Sequence, residues 1–116
     1  MLRSFALLDG NLDDIQVGTF TYDTDTRRFR MTIADNIPMA DLPLSLEGFA
    51  SRGKYELSHE DALRWVNGRI CPPGRHNIRE ILRDNGLEKY DEFDLLLVSN
   101  AKCDKDELYF RNESDH

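Results

Sequence analysis

The sequence predicts an α+β fold: a small antiparallel sheet of three to four strands packed against two or three helices. Three observations predict it. Apolar and polar residues alternate through the first third of the chain, which is the period of a half-buried strand. In the second half apolar residues recur at helical spacing between capping residues. The chain has 116 residues, 40% of them hydrophobic, so one core can bury roughly two-thirds of the unfolded surface without staples. A single domain over 1–116 is expected, with a β-hairpin region (1–36), a connector (37–57), a helical region (58–99), and a short strand with a polar tail (100–116).

The elements follow in order. Arg3 to Leu8 is an apolar run closed by Asp9-Gly10-Asn11, a strand and its turn. Ile15 to Tyr22 alternates, with Gly18, Phe20 and Tyr22 on one face and Val17, Thr19 and Thr21 on the other. Asp23-Thr24-Asp25-Thr26 is a turn by composition, because Asp and Thr side chains hydrogen-bond their own backbone there. Arg28 to Ala34 alternates again and completes a hairpin that buries Phe20, Phe29, Met31 and Ile33. Pro38 and Pro43 then interrupt regular structure, leaving at most one helical turn around Leu44 to Ala50.

Ser58 followed by Asp61 is a capping-box-like start for a helix running to Asn67, with Gly68 as its stop. Ala62, Leu63 and Val66 form its apolar stripe. Pro72-Pro73-Gly74 cannot continue a helix, so the chain turns there. A further helix spans Asn77 to Asn85 with Ile78, Ile81 and Leu82 inward. Gly86 stands at the left-handed position past its end, and Leu87 reaches back to Leu82. Residues 91–98 fit a buried strand or a short helix; helix is the favoured reading. Leu108-Tyr109-Phe110 is a final short strand.

Charge and composition narrow the function. Apolar runs such as Leu95 to Val98 stop at four residues, against the roughly 20 a membrane helix requires. The N-terminus has too short an apolar stretch for a signal peptide, and two cysteines, Cys71 and Cys103, are too few for a disulfide framework. A cytoplasmic protein with reduced thiols is expected. The net charge of -7 weighs against direct binding of nucleic acid. It is unevenly spread: residues 64–83 hold five arginines, Arg64, Arg69, Arg75, Arg79 and Arg83, against one acid, Glu80. Arg69, Arg75 and Arg79 flank the Pro72-Pro73 turn, where guanidinium forks and a helix N-terminus could converge on an anion or an acidic loop. The alternative is that they pair with the chain's own carboxylates. Trp65 beside them reads as an interface anchor or as core packing.

Other constellations are weaker. Asp9, Asn11 and Asp13 have the first spacings of a calcium loop, but Asp14 stands where the loop needs glycine and Phe20 where it needs a bidentate glutamate. Cys71, His59, His76 and Cys103 are zinc-type residues without zinc-type spacing. Cys71 with His76 lacks an orienting group for nucleophilic catalysis. No catalytic centre, cofactor or metal is expected.

Two stretches resemble the HipA family of toxin kinases. The first is Val17-Gly18-Thr19-Phe20-Thr21-Tyr22-Asp23, then Phe29-Arg30-Met31, then Leu42-Pro43-Leu44-Ser45-Leu46. The second is Ile70-Cys71-Pro72-Pro73-Gly74-Arg75, then Ile78 to Leu82, then Phe93-Asp94-Leu95-Leu96 and Cys103. Trp65, Arg69, Pro72, Pro73 and Arg75 also look like a segment that precedes the kinase in some HipA-like proteins. The resemblance covers residues 15 to 110. The family's Gly-Ala-Leu after Asp-Cys is replaced by Lys105-Asp106-Glu107-Leu108, and the kinase domain is missing. The resemblance therefore implies the small N-terminal subdomain standing alone: a non-catalytic regulatory or antitoxin-like partner of a HipA-like Ser/Thr kinase. The expected binding surface, from the arginine island and this resemblance together, comprises Trp65, Arg69, Pro72, Pro73, Arg75 and Arg79, with a secondary contribution from the Pro38 to Leu46 connector. The alternative is an acidic inhibitor of mobile-element origin whose carboxylates at Asp91 to Asp94 and Asp104 to Glu107 imitate nucleic acid.

Overall fold

The computed structural model describes residues 2–70, 77–103 and 106–111. Within these residues five strands, β1 (Leu2–Asp9), β2 (Ile15–Asp23), β3 (Arg28–Ile33), β4 (Glu56–Leu57) and β5 (Leu108–Phe110), form one antiparallel sheet in the order β4-β3-β2-β1-β5. Among the described residues four helices accompany it: α1 (Leu44–Ala50), α2 (His59–Asn67), α3 (Ile78–Asp84) and α4 (Glu92–Val98). The architecture is α+β, as the periodicity predicts, with one strand and one helix more than expected.

Both additions come from 37–57. α1 is seven residues long, where the prolines left room for at most one turn. The reason is that Pro43 begins the helix instead of breaking it. Its carbonyl accepts the N–H groups of Leu46 and Glu47, both at 2.9 Å, and a proline at a helix start sacrifices no intrahelical hydrogen bond. β4 is two residues long and pairs Leu57 with Met31, too short to leave a periodic signature.

The β2–β3 hairpin has the predicted inward residues, with Phe20, Tyr22, Phe29, Met31 and Ile33 all buried. The Asp23 carboxylate accepts the Asp25 N–H at 2.9 Å, and Arg27 closes the turn at φ 57. The alternation fails at Val17, which was expected to face away from Phe20 but is fully buried. Leu7 pairs with Gly18 and Leu8 with Gln16, so Val17 is the extra residue of a β-bulge, and a bulge turns two successive side chains out of strict alternation. Gly18 beside it is sterically required: a Cβ there would stand 2.5 Å from the Thr32 carbonyl oxygen.

α2 begins on Ser58, whose hydroxyl accepts the Asp61 N–H, and ends on Gly68. α3 closes as expected, with Leu87 N–H on the Leu82 carbonyl at 2.8 Å, Gly86 N–H on Arg83 at 3.0 Å, and Gly86 at φ 72. Residues 92–98 are helix: the Asp91 carboxylate accepts the Asp94 N–H at 3.0 Å. α4 ends in the same motif as α3, with Asn100 replacing glycine at φ 54, a conformation asparagine tolerates.

α1, α2 and α4 bury residues in the core on one face of the sheet, while α3 buries none of its own. Phe20 sits at the middle of the aromatic core, its ring centroid 5.6 Å from Phe29, 5.9 Å from Trp65 and 5.1 Å from Phe110. Arg28, Arg30 and Thr32 point to solvent on the other face. β4 reaches only part of β3. Further along that edge the Phe29 N–H donates to His59 Nδ1 at 3.0 Å, and the imidazole stacks on the Phe29 ring at 5.7 Å.

Candidate functional site

The structure divides the predicted binding surface. Trp65 is 4% exposed and Arg69 is 9% exposed, so both belong to the interior. Trp65 packs on Phe20, and its indole Nε1 is buried with no hydrogen-bond partner; packing holds the ring. The Arg69 guanidinium lies 4.6 Å from the Trp65 ring centroid. Pro72, Pro73 and Arg75, with Cys71 and His76, lie outside the described residues. Arg79 is exposed on α3, as are Arg64 on α2 and Arg83.

Of the two roles the arginines offered, Arg69 takes the pairing role. Its Nη1 donates to Asp106 at 2.8 Å, Nη2 binds the other carboxylate oxygen, and Nε donates to the Ala101 carbonyl at 2.7 Å. Asp106 also accepts from the Ser45 hydroxyl at 3.0 Å and the Leu108 N–H at 3.1 Å. This hub joins α1, α2, the end of α4 and β5. Burial pushes the Asp106 carboxyl up, but the Arg69 fork, the Leu108 N–H and the Ser45 hydroxyl outweigh it and hold the group below its ordinary value.

Of the described residues predicted for that surface Arg79 alone stays exposed, and the secondary candidate lies at the surface as well. A tight 3₁₀ turn at Met39–Asp41 leads into α1. Leu42, Leu46 and Ala50 are buried four residues apart and fix the segment to the core. Leu44 falls out of phase with them and is 84% exposed, with Met39 also exposed. Beside Leu44 runs a cleft of about 460 Å³ between this segment, the β1–β2 turn and the start of β5. Leu12, Leu42 and Pro43 contribute apolar lining, and its described titratable residues are all acidic: Asp9, Asp41, Asp106 and Glu107. Asp106 is neutralised by Arg69. In the stretch Asp9, Asn11 and Asp13, the Asp9 carboxylate caps the turn by accepting the Asn11 N–H at 2.9 Å. Among the described residues no group of three His, Cys, Asp or Glu side chains is arranged to hold a metal ion, and no helix is long and apolar enough to cross a membrane.

The out-of-phase position of Leu44 against Leu42, Leu46 and Ala50 was the sequence signal for this surface. It is visible only when the stretch is read as helix. At the level of class, fold and surface define a small α+β protein displaying a leucine at the mouth of an acidic cleft. Compared with protein-family models, curated proteins and solved structures, the chain matches none of them.

Proposed function

We propose that this chain is a non-catalytic regulatory or antitoxin-like subunit that docks a partner protein on the surface formed by Met39, Leu44 and the adjoining acidic cleft. The observation that carries the docking surface is Leu44. An 84% exposed leucine on a helix anchored by buried Leu46 and Ala50 is held rigidly, so binding it costs little ordering entropy. An apolar anchor next to a partly apolar cleft with a charged rim has the anatomy of a protein interface. The partner is a HipA-like Ser/Thr kinase. Support for that identity is the resemblance of the two sequence stretches, one of which contains Leu42-Pro43-Leu44-Ser45-Leu46.

Co-expression with a HipA-like kinase from the same genome tests the reading. A complex that survives gel filtration at micromolar concentration is expected, and Leu44→Arg should weaken it at least about tenfold, the loss of one desolvated apolar anchor. Absence of any complex at that concentration overturns it. Binding lost on neutralising Asp91, Glu92 and Asp94, but indifferent to Leu44→Arg, would transfer the function to nucleic-acid mimicry.

A further inference from the structure

A second cleft, of about 440 Å³, opens at the β3 edge of the sheet, away from Leu44. Arg28 and Arg30 line it, together with His59 and the hydroxyl-bearing Thr21, Thr26 and Ser58. In this acidic chain the cleft is locally cationic. Residues two apart on a strand point to the same side about 6–7 Å apart, a span that lets two guanidinium forks close on one tetrahedral anion. Neither fork is consumed. Among the described residues Arg30, opposite Thr21, makes no ion pair, and Arg28 makes one, with exposed Glu60 at 4.0 Å. Asp23 stands across from Arg28 and also lines the cleft, one of its oxygens accepting the Asp25 N–H, so the lining carries two guanidinium groups against one carboxylate. The His59 ring adds a donor: because Nδ1 accepts the Phe29 N–H at 3.0 Å, the ring's proton sits on Nε2. Leu2 and Phe29 supply apolar wall beyond the size of a bare anion.

We infer that the Arg28–Arg30–His59 cleft binds a phosphoryl group. This site is independent of the docking surface above. The full chain, labelled with ¹⁵N, is titrated at constant ionic strength with inorganic phosphate, phenyl phosphate and phenol, and the Phe29 amide and Arg Nε signals are followed. Saturable shifts at Phe29 and Arg30 are expected from phenyl phosphate, with half-saturation at or below about 1 mM, a modest affinity for one charged group. Phenol should give none. Arg28→Gln and Arg30→Gln should each weaken binding about tenfold, and Arg79→Gln should leave it unchanged; circular dichroism checks that these surface variants are folded. Equal saturation by inorganic phosphate assigns the free anion, and tighter binding of phenyl phosphate assigns an ester. Linear shifts without saturation, an equal response to phenol, or equal weakening by Arg79→Gln overturns the site.

Discussion

Asp106 shows how one carboxylate can hold a fold together. It accepts from a guanidinium, a hydroxyl and a backbone N–H at once, and removing it strands a buried cation. Asp106→Asn should destabilise the protein by about 3–5 kcal/mol, read as a lower urea midpoint, whereas Arg69→Met with Asp106→Leu should recover much of the loss. The pH dependence has a definite sign. A carboxyl held below its unfolded value contributes fully above about pH 4 and loses that contribution as pH falls through the lower folded value. Acid unfolding of the wild type should therefore contain a component that Asp106→Asn lacks. Gly18 is a second single-residue constraint. With the Thr32 oxygen 2.5 Å from where its Cβ would lie, Gly18→Ala should cost about 1–3 kcal/mol by displacing backbone in the sheet. Pairing was one of the two roles the sequence offered Arg69, but its partner was not legible, and neither was the constraint at Gly18. Arg69 and Asp106 are 37 positions apart, and nothing local to an arginine says which carboxylate it will meet.

Elements whose signals are local were legible. The Ser58 cap and the Gly86-Leu87 closure appear where the residues place them, because caps and left-handed termini depend on a handful of adjacent side chains. α1 reads as no more than one turn for the converse reason: its propensity is poor, with Gly48 in mid-helix, and its stability comes from Leu46 and Ala50 burying against the rest of the molecule. Tertiary packing overrides weak propensity. Gly48 offers a test opposite in sign to Gly18. A Cβ there meets nothing within 4 Å, so Gly48→Ala should raise stability by about 0.5–1 kcal/mol in thermal or urea unfolding. Val17 belongs to the same lesson, since strict alternation cannot register a bulge set by pairing with a distant strand.

At the scale of the whole molecule, charge distribution located a basic island but not its fate. Part of it folded inward as Arg69, part lies at residues 71–76, and Arg64, Arg79 and Arg83 remain outside. The surfaces that emerge, the Leu44 cleft and the Arg28–Arg30 cleft, are assembled from segments distant in sequence. Leu44 itself is a sensitive probe of this arrangement. Because its side chain is almost wholly solvated, Leu44→Arg should change unfolding free energy by no more than about 0.5 kcal/mol, so any loss of association it causes is a loss of contact and not of fold.

The imidazole on β3 has one more consequence, for what the molecule refuses to do. A sheet ending in a two-residue strand leaves main-chain donors that another polypeptide could adopt, the route by which sheets recruit copies of themselves into fibrils. His59 occupies the Phe29 donor with a side chain rather than a strand. A ring cannot hand hydrogen bonds on to a further neighbour, so at that position the edge of β3 offers no donor for strand-by-strand growth.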